Sequence, residues 1–156
     1  MCVLTGSVLY CIMVSQQKKI AIVDAVKIFD EFTMKKELEE MAKMNLQKIS
    51  KQVDNIGNSL KMAKGTHTSE DSIKLLSLEY SKMKAALDNE YTESNHDINI
   101  QVWKRLNPLL EAYGKEKGLH VIFGANGMGS VLYTDNYYDY TNDVIRYINK
   151  KYAQGN

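Results

Sequence analysis

The sequence predicts an α+β chain, mostly helical, in which a long antiparallel α-helical coiled-coil hairpin is inserted between the first and second strands of a small β body. The expected order is β-α-α-β-β-α. Three observations carry this. The run from Phe29 to Lys117 is nearly free of glycine, and its apolar residues recur at helical steps of three and four. That run contains one strong fold-back signal, Gly65-Thr66-His67-Thr68. The β-branched runs with strand character lie outside it, at Ile20–Val23 and within Val121–Tyr133.

The chain has 156 residues, a length that suits one domain. With much of it in an arm, the body is left with about 60 to 70 residues, a size at which surface-to-volume scaling makes stability marginal and oligomerisation a common remedy. The formal net charge of +1 shows no basic excess of the kind nucleic acid binding requires, so no nucleic acid partner is expected. Both cysteines, Cys2 and Cys11, precede Gln16, which leaves the rest of the chain without a disulfide framework or a thiolate metal site. Met1–Val14 is apolar and uncharged and turns polar at Ser15-Gln16-Gln17-Lys18-Lys19. It is too short for a comfortable membrane span of about 20 residues. It fits the apolar core of a secretory signal cut near Ser15, with a retained anchor or a leader of another kind as alternatives. Residues 1–15 are therefore set apart as a signal-like or anchor segment, and 16–156 are read as one domain with a body at 18–36 and 104–152 and an arm at about 37–103.

In chain order, Ile20-Ala21-Ile22-Val23 is a strand that Asp24 ends, and helical spacing begins at Ala25 with Val26, Phe29 and Phe32 on one face. Ala42, Leu46, Ile49, Val53, Ile56, Leu60 and Ala63 then form a coiled-coil seam, with polar residues between them. Gly57 lies off this seam and is expected to soften the helix. Gly65 suits a left-handed C-terminal cap, and Thr68 or Ser69 can cap the next helix. The second seam runs through Ile73, Leu76, Tyr80, Met83, Leu87, Tyr91, Ile98, Val102, Leu106, Leu109 and Tyr113, with Ser94 or Asn95 filling one polar step. Two seams of matching length around a short turn make an αα-hairpin, on the order of 50 Å long at 1.5 Å per residue. Pro108 predicts a kink or a restart near Asn107, and Lys115, Lys117 and Gly118 form a helix stop. Val121-Ile122-Phe123 is the second strand and Ser130–Tyr133 the third, with a glycine-rich hairpin turn between them. Thr141 caps a last helix that buries Val144, Ile145, Tyr147 and Ile148.

Little in the chain points to catalysis, and none of it is expected to be an enzyme site. Gly124-x-x-Gly127-x-Gly129 is followed by strand-like sequence and lacks the lysine of a phosphate loop, so it reads as a turn. His67, His96 and His120 fall at the hairpin tip, mid-helix and the body, too far apart for a metal site. Asp24 has no visible catalytic partner and reads as the residue that opens a helix. No catalytic, cofactor or metal residue is expected. Lys48 and Lys51 belong to a basic tendency of the first arm helix, which either pairs with acids of the second helix or attracts acidic partners and lipid phosphates. Met41, Met44 and Met62 are either core fillers or adaptable contacts for many partners.

Lys19-Ile20-Ala21-Ile22-Val23-Asp24 with its short helix resembles the opening of the Skp (OmpH-like) periplasmic chaperones. So does the passage from a helix carrying Pro108 through Lys115-Glu116-Lys117-Gly118 into Val121-Ile122-Phe123, and so do Val131–Asp135 and Asp139-Tyr140-Thr141 with Val144 and Ile145. The resemblance covers roughly Lys18 to Tyr152. It implies a "jellyfish" trimer built on a shared β body, whose helical arms enclose unfolded outer-membrane proteins after export and keep them from aggregating without ATP. It also implies a periplasmic location and leaves room for contact with a membrane or lipopolysaccharide surface, although this chain is near neutral where better-known members are strongly basic. On this reading Ile20, Ile22, Val121, Phe123, Val131 and Tyr133 build the trimer body. Met41, Met44, Met62, Lys48 and Lys51 are candidate client contacts, and Trp103 is an anchor at the base of the arm. The competing expectation is a coiled-coil adaptor that docks one defined envelope partner.

Overall fold

The computed structural model describes residues 19–66 and 68–155. The signal-like segment, both cysteines and His67 lie outside the described residues. The order is β1 (Ile20–Asp24), α1 (Ala25–Glu31), α2 (Thr33–Gly65), α3 (Glu70–Lys117), β2 (Val121–Ala125), a short 3-10 turn at Asn136–Tyr138 and α4 (Thr141–Ala153). The protein is mostly helical, with a small two-stranded sheet and long helices. Two compact units emerge. One holds the described residues up to Phe32 together with those from Arg105 onward, and the other is Thr33–Lys104.

In the first unit β1 and β2 pair in parallel, Ile20 opposite Val121 and Ile22 opposite Phe123. A parallel pair needs a long crossover, and the two arm helices are that crossover. The pleat sends Ala21 and Val23 inward, where they are buried with Ile28, Phe32, Leu106, Leu109, Tyr113, Val144, Ile145 and Ile148. Phe32 and Tyr152 meet edge to face at 5.4 Å, as do Tyr113 and Tyr147 at 5.1 Å. Asp24 opens α1, its carboxylate accepting the Lys27 N–H at 2.9 Å. The buried residue of α1 is Ile28, with Phe32 buried just beyond its end, whereas Val26 is 52% exposed, which corrects the expected grouping of Val26, Phe29 and Phe32. Phe32 itself is extended and separates α1 from α2.

The expected third strand is absent. Ser130–Tyr133 has no ladder partner, and Leu132 and Tyr133 are 92% and 84% exposed. After β2 the chain does not fold back along the open edge of β2; it bends at Gly127 and Gly129 and rejoins the sheet at the other edge. The side of β1 away from β2 is taken by Asp139 and Tyr140, through a bridge from Ile22 to Asp139 and the Tyr140 N–H to the Ile22 carbonyl at 2.9 Å. The glycine loop is accordingly no hairpin turn. Gly127 and Gly129 have φ of 72° and 97°, and bends rather than a strand follow them.

Thr141 also does something other than expected. It is the first residue of α4, its N–H donates to Asp139 Oδ1 at 2.9 Å, and its buried hydroxyl accepts the Asp24 N–H at 2.9 Å. The cap position is Tyr140, whose side chain makes no capping bond; the Asp139 carboxylate takes the first helical N–H from one residue upstream, and Thr141 ties the end of β1 to the start of α4. Gly118 ends α3 in the left-handed region at φ 63°, with the Leu119 N–H donating to the Gly114 carbonyl at 2.8 Å. Through Pro108, α3 continues as one helix without the restart its sequence suggests.

The second unit is an antiparallel hairpin. Val53 and Ala63 are buried, and Leu46, Ile49, Ile56, Leu60, Ile73, Leu76, Tyr80, Met83 and Leu87 are half-buried along the facing sides of α2 and α3. Gly65 does not take the left-handed conformation. The Thr66 hydroxyl instead donates to the Met62 and Ala63 carbonyls at 3.2 and 3.4 Å, relieving the orphan acceptors of the last turn. At the other side of the turn Ser69 caps α3, its hydroxyl accepting the Ser72 N–H at 3.4 Å. Gly57 does not merely soften α2. A Cβ there would lie 3.1 Å from Tyr80 Cε2, so the glycine makes room for that ring.

Candidate interaction surfaces

Two surfaces combine apolar side chains with exposure, one in each unit. The first is the outward face of the sheet. Because β1 and β2 pair in register, their outward positions place Ile20, Ile22, Val121 and Phe123 together. Ile20, Val121 and Phe123 are 37%, 40% and 48% exposed, and Ile22 is half-buried. The edge of β2 away from β1 has no ladder partner among the described residues. Val131 is half-buried and Tyr133 exposed; since neither is in a strand, the structure does not bring them onto this face as sheet residues. Tyr137 and Tyr138, ring against ring at 5.1 Å, add exposed aromatic surface in the same connection.

The second surface lies along the hairpin. Met41, Met44 and Met62 are 54%, 51% and 72% exposed, which rules out the core-filler reading for these three. Lys48 and Lys51 are exposed beside them in sequence. Sequence reasoning missed Leu75, Leu78 and Ile100, which are equally exposed. Their signal was available: each is an apolar residue off the steps of three and four that define the seam. Ion pairs in α2 run along the helix, Lys35 to Glu39 at 2.8 Å and Lys43 to Glu40 at 3.7 Å. Across the hairpin, Asn45 Nδ2 donates to Glu90 at 2.8 Å.

The seam departs from expectation at one layer. Tyr91 is 61% exposed and points out of it, Glu90 is half-buried in its stead, and Ser94, half-buried, fills the expected polar step. Ser94 and Ala42 are too small to fill the space between the helices. A groove of about 830 Å³ opens on one side of this layer, floored by Leu46, Leu87 and Ile98 with Tyr91 on its wall. A smaller one of about 320 Å³ opens on the other side, and both are lined by Ala42, Ser94 and Ile98.

The titrating groups that depart from ordinary values sit around α4. Hydrogen bonds from Thr141 hold the Asp139 carboxyl below the usual range. A hydrogen bond from Arg146 does the same for Asp143, despite some burial. Burial pushes the Tyr113 hydroxyl up, with the nearby Asp143 charge adding to it, and Tyr113 donates to Asp143 Oδ2 at 3.3 Å. These contacts tie α4 to the end of β1 and to α3. Among the described residues no cluster of His, Cys, Asp and Glu is placed to hold a metal ion, and no helix is long and apolar enough to cross a membrane.

The model of the outer membrane protein (OmpH-like) family matches residues 19–148. A crystal structure of a candidate outer membrane chaperone (OmpH-like) from Caulobacter crescentus CB15 is similar over 86% of each chain, with a TM-score of 0.50 and 13% identity, a likeness of fold. No curated protein matches.

Proposed function

The chain belongs to the OmpH-like family, a chaperone family and not an enzymatic one, and from that premise we propose that it is an ATP-independent periplasmic holdase for unfolded outer-membrane proteins. The observation that carries this is the set of apolar side chains exposed along both arm helices, Met41, Met44, Met62, Leu75, Leu78 and Ile100. The seam already has its own apolar residues, so these are surplus to holding the hairpin together. Singly exposed apolar residues are common. A chain of them dispersed on a long hairpin suits many weak contacts with an unfolded polypeptide better than one rigid docking patch. Methionine, flexible and polarisable, adapts to clients of differing sequence.

The assembly in this reading is a homotrimer. The outward sheet face and the unpaired edge of β2 supply what a body of this size needs to cover, and joining copies removes an edge that would otherwise recruit stray strands. Clients are then held among the arms of three copies, with Lys48 and Lys51 meeting acidic groups or lipid phosphates, and Trp103 anchoring the arm.

The test is light scattering of a denatured outer-membrane barrel diluted into buffer. Molar excess of this protein suppresses the signal equally with and without ATP. Equal aggregation in its presence and absence would sink the holdase reading.

A further inference from the structure

The larger groove of the hairpin offers something the dispersed apolar residues do not, namely a bounded site. Its lining runs along α2 from Glu39 to Ser50, about 16 Å of helix, a distance an extended chain crosses in about five residues. Its floor is apolar, made by Leu46, Leu87 and Ile98. Its rim is polar and of both signs, with Glu39, Lys43 and Asp88 as charges and Gln47 and Asn95 as amides, all exposed. Each amide can donate and accept, which complements the N–H and C=O of a peptide. A lipid headgroup would favour a rim of clustered cations, and this rim is not one.

We propose that this groove is a discrete subsite for a short extended segment whose residues alternate apolar and polar. Such a segment lays its apolar side chains on the floor, turns its polar ones to solvent and sets its backbone level with the rim amides. Strands of membrane β-barrels have this alternation, apolar toward lipid and polar toward the lumen, so an unfolded barrel chain carries many copies of it. The proposal rests on the holdase reading and sharpens it: one part of the arm selects for pattern, while the rest binds by apolarity alone. Tyr91, which leaves the seam at this layer, supplies an aromatic wall with low ordering cost.

The test uses the full chain and a fluorescein-labelled ten-residue peptide that alternates Leu, Val and Tyr with Ser, Thr and Gln. A control peptide has the same composition with its apolar residues in one block. Ser94→Leu and Ala42→Leu fill the groove, and leucine is a strong helix former, so helicity by circular dichroism should hold. Tyr91→Ser strips the wall at an exposed position and serves where a filled variant loses helicity. Lys82→Gln, an exposed position of α3 outside the groove lining, is the control. Anisotropy should show saturable binding of the alternating peptide, weakened about tenfold by each groove variant, as for removal of an anchor pocket, and changed less than about twofold by Lys82→Gln. The block peptide should bind about tenfold more weakly. The proposal is overturned if Ser94→Leu and Tyr91→Ser bind like the unaltered protein, if the block peptide binds as well as the alternating one, or if the groove variants lose affinity for phosphatidylglycerol vesicles and not for peptide. A protein that suppresses scattering while its groove variants keep full peptide affinity refutes the subsite alone. Failure of the unaltered protein to suppress scattering refutes the holdase reading beneath it.

Discussion

A Cβ at Gly57 would press on the Tyr80 ring at 3.1 Å, and glycine inside a helix normally costs about 1 kcal/mol against alanine. Replacing it should therefore forfeit most of the propensity gain, because the ring must shift. Gly57→Ala should change stability by less than about 0.5 kcal/mol in either direction. In a Tyr80→Leu background, where the ring is gone, the same substitution should stabilise by about 1 kcal/mol. The two denaturant melts form a double-mutant cycle, and a gain of about 1 kcal/mol in both backgrounds would show the ring does not limit this position. The same pair marks where single residues were legible in the sequence. Gly57 was visible as a helix glycine, but its neighbour across the hairpin was not, since that depends on the register of the two seams. Asp24 was readable as a helix opener because capping is local. The Thr141 hydroxyl that accepts from Asp24, 117 residues away, has no local signature.

The elements differ in legibility for the same reason. α2 and α3 follow from periodicity, a property of each segment by itself. The strand expected at Ser130–Tyr133 had suitable residues, yet a strand needs a turn that returns it to a neighbour, and here the chain bends past the open edge of β2 and meets the sheet again at Ile22, through Asp139 and Tyr140. Tyr91 kept the right spacing and still left the seam. Between Leu87 and Val102 the half-buried and buried positions advance through Glu90, Ser94 and Ile98, drifting from a strict seven-residue repeat. The short connection before α4 is secured by a chain of polar contacts, and this gives two predictions. Thr141→Val keeps the shape but leaves the Asp24 N–H without its acceptor, at a cost of about 1 to 3 kcal/mol in a thermal or denaturant melt. Asp139 and Asp143 are both held below the ordinary aspartate range, so their contribution is present above that range and is lost as pH falls through their lowered values. The melting temperature should therefore decline below about pH 4. Asp139→Asn keeps an acceptor for the Thr141 N–H but removes one of the titrating groups, and should flatten that decline. An unchanged profile would mean that Asp139 does not govern the acid limb.

In the molecule as a whole, the body has apolar surface that stays exposed among the described residues. Its core draws on α1, α3, α4 and one face of a two-stranded sheet, and the other face holds Ile20, Ile22, Val121 and Phe123. Burying an apolar side chain of this size is worth about 1.5 to 3 kcal/mol, so even a few such residues per copy are a large share of the stability of a small body. That sets a direct test of assembly at Phe123, which is 48% exposed and makes no part of the buried core. In a lone chain Phe123→Asp should be nearly neutral, because an exposed charge on a sheet surface is well solvated. In an assembly built on this face it would place a carboxylate of every copy at one junction, where desolvation and like-charge repulsion add. Light scattering coupled to gel filtration should therefore read a homotrimer for the unaltered protein and a monomer for Phe123→Asp, with helicity largely kept. Met62→Ser, in the hairpin, should leave the mass unchanged. On the proposed holdase reading, in which clients are held among joined arms, loss of the assembly should also raise the aggregation of a denatured barrel. A monomeric mass for the unaltered protein would remove the assembly from the proposal. A trimeric mass for Phe123→Asp would move the interface elsewhere on the body, with the exposed aromatics of Tyr133, Tyr137 and Tyr138 as the next surface to alter.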